Sequence, residues 1–123
     1  MLNNTLKEVL AQESPASFVT MGSDGPHMVA TWNSYIQINN HGELLIPAGS
    51  LVHTERNIQQ GSGVQLLLAA KGVQGKHGDG AGFLLKGTAN FEDSGPQFDQ
   101  FKLGFPWARA VMVFHIREVE QLI

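Results

Sequence analysis

The block between positions 31 and 35 is the part of the chain best suited to hold a flat aromatic ligand. It combines two aromatic rings with three hydrogen-bonding side chains, in the order Thr31, Trp32, Asn33, Ser34 and Tyr35. Heteroaromatic ligands are bound by apolar walls and a few fixed polar groups at their edge, and this block offers both. A second interpretation stays open, in which Trp32 belongs to the core and its polar neighbours line a solvated or dimeric face.

A run of small residues before a predicted helix is the second candidate. Small residues expose backbone N–H groups, and the N-terminus of a helix attracts an anion such as a phosphate. The run and the donors that follow it are Pro47, Ala48, Gly49, Ser50, His53 and Thr54. The alternative is an ordinary strand-to-helix connection in which Ser50 caps the helix. The residues do not decide between the two.

Other chemistry-bearing motifs are excluded or weak. The chain has no cysteine, which excludes disulfides, thiolate-bound zinc, iron–sulfur clusters and cysteine nucleophiles. Gly78, Gly80 and Gly82 precede a predicted strand instead of the helix that a dinucleotide-binding fingerprint requires. The histidines show no short metal-ligand spacing, so no metal site is predicted. Trp107, taken in isolation, is best explained by packing under a short helix.

Length and charge indicate one small domain. A chain of 123 residues falls within the usual size of a domain, so residues 1–123 are predicted to fold as one unit. With 8 Lys and Arg against 11 Asp and Glu, the net charge of -3 is unsuited to binding nucleic acid. Neither a signal peptide nor a long apolar run is visible, so no membrane span is predicted. We expect a soluble protein of the cytoplasm.

The elements that position these residues are mostly strands. Apolar alternation predicts about six strands, and helical spacing predicts three short helices. The strands are predicted at 16–21, 27–38, 43–47, 64–70, 83–91 and 110–119, and the helices at 3–13, at 51–60 and after 93–96. The glycine-rich segment 72–82 is predicted to be a loop. Because hairpin turns join most of the strands, an antiparallel barrel is favoured over a parallel α/β sheet.

Taken together, these segments resemble the small dimeric FMN-binding proteins of sulfate-reducing bacteria, within the larger group of pyridoxamine-phosphate-oxidase-like FMN split barrels. The likeness runs nearly end to end. It is carried by Gly25-Pro26-His27, Thr31-Trp32-Asn33-Ser34-Tyr35, Pro47 with Gly49, His53-Thr54-Glu55 with Asn57, Gly82-Phe83-Leu84 with Gly87, Gly95-Pro96 and Trp107-Ala108-Arg109-Ala110. The resemblance implies a mainly β fold, a six-stranded antiparallel split β-barrel of Greek-key type with two or three short helices. It also implies a homodimer that holds FMN non-covalently at or near the subunit interface.

The resemblance assigns roles to individual residues. Contacts to the flavin ring are implied for Thr31, Trp32, Asn33, Tyr35, Pro47 and Ala48, with Ser34 in the same block and Trp107 nearby. Contacts to the phosphate are implied for Gly49, Ser50, His53 and Thr54. The family more often has lysine where this chain has His53, and a second glycine where it has Ser50. Because histidine ordinarily loses its charge near neutral pH, phosphate affinity is predicted to weaken above about pH 7.

Flavin carries the redox chemistry itself, so no catalytic side chain is predicted. The favoured function is electron transfer with an unknown redox partner protein, since the chain is short and lacks elaborated loops. The alternatives are a pyridoxamine-phosphate-type oxidase, an NAD(P)H-dependent flavin reductase, and a module that binds another phosphorylated ligand or a deazaflavin. An enzyme would need a pocket for an anionic substrate, and no cluster of Arg and Lys marks one. The terminal Leu122 and Ile123 are expected to pack on the partner subunit.

Overall fold

The computed structural model describes residues 2–123, which form one curved sheet and three α-helices. In chain order the elements are α1 (Asn4–Ala11), β1 (Pro15–Gly22), β2 (Gly25–Trp32), β3 (Gln37–Ile38), β4 (Leu44–Ala48), α2 (Val52–Gln59), β5 (Val64–Gly75), β6 (Gly78–Glu92), α3 (Pro96–Gly104) and β7 (Ala110–Gln121). A 3₁₀ turn, Asn33–Tyr35, separates β2 from β3.

The seven strands of the described residues lie in one antiparallel sheet with the order β2-β1-β5-β6-β7-β4-β3. The strands β2 and β3 are its edges, so the hydrogen-bonded ladder is open. The sheet curves around its larger buried cluster, because Phe18 of β1 and Ile46 of β4 both belong to that cluster although three strands separate them. The mainly β, antiparallel fold predicted from the sequence is confirmed, with seven strands in place of six.

The extra strand arises because the long strand predicted over 27–38 is broken at Asn33. The side-chain amide of Asn33 is buried and donates to the carbonyl oxygens of Val9 at 3.0 Å and Ala69 at 3.4 Å. Its backbone N–H donates to the Ser14 oxygen at 2.9 Å, and its own carbonyl accepts from the Ile36 N–H at 3.0 Å. These bonds replace ladder bonds and turn the chain. The prediction of one uninterrupted strand is therefore wrong, and pairing resumes only at β3.

The segment 72–82, predicted to be a loop, is instead the end of the β5–β6 hairpin. Gly75 pairs with Gly78, so only two residues form the turn between the strands. Gly78 has a left-handed φ of 125°, which favours glycine. A Cβ at Gly75 would collide with the backbone carbonyl of Gly80. The glycines thus permit a tight hairpin with closely approaching backbones, which glycine content alone does not distinguish from a loop.

The helices cover parts of the core, and specific residues mark the start of α1 and the end of α2. The Oδ1 atom of Asn3 caps α1 by accepting a hydrogen bond from the Leu6 N–H at 2.8 Å. The buried face of this helix, which includes Leu6 and Val9, packs on the core. Gly61, with a φ of 102°, follows α2 as the predicted helix breaker. No helix within residues 2–123 is both long enough and apolar enough to cross a membrane.

Candidate functional site

A cleft of about 480 Å³ opens where the end of β2, the β4–α2 connection and the α3–β7 connection meet. These segments are far apart in the sequence and are brought together by the curvature of the sheet. Seven of the residues predicted to bind a ligand line the cleft: Thr31, Trp32, Tyr35, Pro47, Gly49, Ser50 and Trp107. Two candidate segments that were separate in the sequence analysis are therefore parts of one site.

Two half-exposed tryptophans stand in the wall of the cleft. Trp32 is 47% exposed and Trp107 is 52% exposed, although both side chains are large and apolar. The buried side chains of Phe18 and Ile46 also contribute to the wall. A concave apolar surface with hydroxyls at its edge matches the general pattern of sites for aromatic ligands. Ligand burial would explain why these rings are left open to solvent.

The position of Trp107 depends on Gly49. A Cβ at Gly49 would lie 3.2 Å from Cε3 and 3.3 Å from Cζ3 of the Trp107 ring. The ring therefore rests directly against the backbone of the β4–α2 connection. Its other neighbours are Tyr35, with ring centroids 5.7 Å apart, and Phe105, with centroids 5.8 Å apart. Trp107 thus packs on aromatic residues beside α3 and also lines the cleft, so the two interpretations of this residue are compatible.

The connection that leads into α2 has an unusual start. Leu51 precedes the helix with φ 56° and ψ 32°, a left-handed conformation that costs a non-glycine residue about 1 kcal/mol or more. Among residues 2–123 no side chain caps the helix, so the alternative in which Ser50 caps it is wrong. The first backbone N–H groups of α2 therefore have no side-chain acceptor in that range, and such groups at a helix N-terminus can bind an anion.

His53 lies on α2 beyond the cleft wall. Its ring stacks on that of His27, with centroids 4.1 Å apart, and its Nε2 lies 3.8 Å from Oδ1 of Asp24. His27 shares the more buried face of β2 with Val29 and Thr31, and both Val29 and Thr31 line the cleft. The stacked histidines therefore lie between the cleft and the β1–β2 turn. Contact between His53 and a phosphate stays a prediction.

Four further predicted residues lie outside the cleft wall. Asn33 holds the 3₁₀ turn as described above, and its buried Oδ1 has no hydrogen-bond partner among residues 2–123. Thr54 is fully buried in the first turn of α2, where its Oγ1 likewise has no partner in that range. Ala48 is buried at the end of β4, and Ser34 is exposed in the turn. Ligand contacts by these residues stay predictions.

Six residues of the wall, all with apolar side chains, were not predicted from the sequence. They are Pro15, Phe18, Val29, Ala30, Ile46 and Leu51. Val29 could have been found, because it shares the inner face of β2 with Thr31. Phe18 and Ile46 look like ordinary core residues in the sequence. Only the curvature of the sheet shows that part of their surface faces the cleft.

The described residues 2–123 contain no group of three or more side chains that could hold a metal ion. The clear pKa shift in this range belongs to Glu43, which precedes β4 and is not part of the cleft wall. A hydrogen bond from the Asn39 amide holds the pKa of Glu43 below its ordinary value, and the charge of His115 acts in the same direction. His115 Nδ1 lies 2.6 Å from Oε2 of Glu43. This cluster joins β7 to the β3–β4 turn.

Comparison with solved structures finds the same fold in proteins of similar size. HupZ of Group A Streptococcus superimposes with a TM-score of 0.80 at 15% identity, covering 99% of this chain and 94% of HupZ. A putative pyridoxamine 5'-phosphate oxidase of Lactobacillus delbrueckii superimposes with a TM-score of 0.75 at 17% identity, covering 97% of this chain and 93% of that one. At these identities the likeness defines the fold. No protein-family model matches the chain.

Sequence comparison is more specific. A protein of Nitratidesulfovibrio vulgaris named FMN-binding protein is 38% identical over 123 residues, which is the full length of both chains. This chain belongs to the family of that FMN-binding protein. The family resemblance drawn from the sequence is confirmed.

Proposed function

We propose that this protein binds FMN non-covalently in the cleft and acts as an electron carrier of the cytoplasm. The observation that carries the proposal is the joining of two half-exposed tryptophans and an uncapped helix start in one apolar cleft. A ring system and a phosphate on one ligand would use these two features together. The full-length relative named FMN-binding protein supports the choice of FMN among phosphorylated aromatic ligands.

The residues of the cleft divide between the two ends of the ligand. Trp32, Tyr35 and Trp107 provide aromatic surface for the isoalloxazine ring, and the Thr31 hydroxyl lies beside them. The backbone from Gly49 to the first turn of α2 provides N–H donors for the phosphate. Bound FMN supplies the redox chemistry, accepting and releasing electrons, while the protein sets its access and electrostatic environment.

A carrier is favoured over an enzyme by the composition of the cleft wall. Within residues 2–123 the wall contains no Lys, Arg, His, Asp or Glu. A substrate such as NAD(P)H or pyridoxamine phosphate would bring its own phosphate and would call for a second set of charged donors. Electron exchange with a partner protein needs only an accessible flavin edge. The half-exposed tryptophans leave the mouth of the cleft open to such a partner.

We further propose that two copies associate as a split-barrel homodimer. The terminal residues Leu122 and Ile123 are 41% and 48% exposed, although backbone hydrogen bonds to Gly82 hold them in place. Met28 and Leu67 are exposed apolar residues that line a shallow depression on the outer face of the sheet. Ordered apolar side chains in such positions are best accounted for by a covering surface.

The test begins with the purified protein. We expect a yellow protein with the absorption bands of oxidised flavin, a released chromophore with the mass of FMN, and saturation at one FMN per chain. Titrations with FMN at pH 6 and pH 8 then examine His53, and equal affinities would remove it from the phosphate site. Absence of steady-state turnover with NADH, NADPH or pyridoxamine phosphate would favour the carrier. A colourless protein that does not bind added FMN would contradict the proposal.

A further inference from the structure

Arg109 reaches from the α3–β7 connection to the start of α2. Its Nε donates to the Ser50 carbonyl oxygen at 2.7 Å, and its Nη2 donates to Oε1 of Glu55 at 2.8 Å. Its backbone N–H donates to the Ala48 carbonyl oxygen at 2.9 Å. Arg109 therefore donates hydrogen bonds to two carbonyl groups, those of Ala48 and Ser50, and to the carboxylate of Glu55 in the first turn of α2.

These bonds fix the direction of two amide groups. In a trans peptide the C=O of one residue and the N–H of the next point in opposite directions. Because the carbonyls of Ala48 and Ser50 point toward Arg109, the N–H groups of Gly49 and Leu51 point away from it. Within residues 2–123 neither N–H has a backbone acceptor. Both residues line the cleft. Backbone N–H groups in a turn that includes a left-handed residue, as Leu51 is here, can make a concave site for an anion.

The same contacts remove two obstacles to anion binding. The left-handed conformation of Leu51 is unfavourable and needs surrounding bonds to hold it. Glu55 carries a negative charge in the first turn of α2, where it would repel a phosphate. Arg109 pins the peptide next to Leu51 and pairs with the carboxylate of Glu55. The buried, unpartnered hydroxyl of Thr54 in the same turn is a further sign that an acceptor is expected there.

We propose that Arg109 is a positioning residue for the flavin phosphate: it does not touch the ligand, and it holds the Gly49 and Leu51 amides in the direction that receives the phosphate. The inference rests on the proposed binding of FMN. It predicts an effect on the binding of the ligand's phosphate and not of its ring, because the Arg109 side chain bonds to Ser50 and Glu55 and is not part of the cleft wall.

The experiment compares FMN with riboflavin, which has the same ring and lacks the phosphate. Dissociation constants for both ligands are measured for the wild type, Arg109→Met, Arg109→Lys and the control Arg117→Met, an exposed arginine on β7. We expect Arg109→Met to lower the preference for FMN over riboflavin by about tenfold, as for loss of charged hydrogen bonds that orient a site. Riboflavin affinity should change less than twofold. Arg109→Lys should recover part of the preference, because lysine restores the charge and not the fork-shaped grip.

Melting temperatures show whether each variant folds. If Arg109→Met does not fold, the comparison of Arg109→Lys with the wild type still tests the inference. An unchanged ratio of FMN to riboflavin affinity in both variants would overturn the inference. Equal losses for the two ligands would also overturn it, since they indicate a general structural role. A wild type that binds FMN no more tightly than riboflavin overturns the phosphate site while leaving flavin binding intact. A wild type that binds neither ligand contradicts the proposed function itself.

Discussion

Replacement of Trp107 by alanine is the most direct test of the cleft as a flavin site. The side chain is 52% exposed, so about 130 Å² of a tryptophan surface of roughly 250 Å² is free to be covered. Full coverage would stabilise the complex by roughly 3 kcal/mol at about 25 cal/mol per Å². A ligand that covers one face of the ring gains about half of this, which corresponds to roughly a tenfold change in Kd.

The assay is equilibrium titration with FMN, followed by flavin fluorescence. Trp107→Ala should weaken binding by about tenfold, and Trp107→Phe should lose less because it keeps an aromatic wall. The control is Leu103→Ala on α3, which removes a 76% exposed apolar side chain that is not part of the cleft wall. Flavin emission should also be less quenched in Trp107→Phe than in the wild type if the ring contacts the indole.

Melting temperatures accompany these titrations, because Trp107 also packs on Tyr35 and Phe105 and its loss lowers stability. The affinities are compared below the melting transition of the least stable variant. FMN affinity within twofold of the wild type in a folded Trp107→Ala protein would contradict a ligand contact with this side chain. It would show that the exposed face of this indole is not covered by the ligand.

Three further predictions concern stability and assembly. The Asn39 hydrogen bond depresses the pKa of Glu43 below its ordinary value of 4.5, so its contribution to stability is complete above that value and is lost as the pH falls through the folded pKa. Urea unfolding between pH 6 and pH 3 should therefore show a shallower loss of stability for Glu43→Gln than for the wild type, and parallel curves would contradict this. Asn33→Ala should lower the free energy of unfolding by about 2 kcal/mol, because the carbonyl of Val9 loses a buried donor and that of Ala69 a partly buried one; a loss well under 1 kcal/mol by chemical denaturation would show that the turn does not depend on it. Deleting Leu122 and Ile123 should weaken both self-association and FMN binding, measured by sedimentation and by titration, whereas unchanged values would leave these side chains without an interface role.

The sequence carries the local part of the fold. The alternation from Phe83 to Phe91 and the helical spacing in the first 13 residues correspond to β6 and α1 because each pattern reports burial on one face of one element. The break at Asn33 could not be predicted in this way. The amide of Asn33 is bonded to Val9 and Ala69, which lie 24 and 36 residues away, so the turn is a tertiary effect.

The candidate site likewise has a part that local sequence patterns predict and a part that depends on tertiary contacts. The aromatic and hydroxyl residues were recognisable because two aromatic rings and three hydrogen-bonding side chains in five successive positions suit a flat aromatic ligand. These residues come together through contacts between distant parts of the sequence, which local patterns do not reveal. Examples are the Trp107 ring against Gly49 and the hydrogen bond from Arg109 to the Ser50 carbonyl. Leu51 has an unremarkable side chain, yet its left-handed backbone directs the start of α2. Backbone conformation of this kind is visible only in the folded chain.

The openness of the cleft connects FMN binding with the proposed dimerisation. With Trp32 and Trp107 half-exposed, one copy of the chain leaves the mouth of the cleft open to solvent. If a second copy covers the mouth, FMN binding and dimerisation stabilise each other, because thermodynamic coupling between two binding events is reciprocal. The apparent FMN affinity would then rise with protein concentration across the range in which dimers form. An affinity that is independent of protein concentration through that range would mean that each copy completes its own site, and that the exposed tryptophans face the redox partner instead.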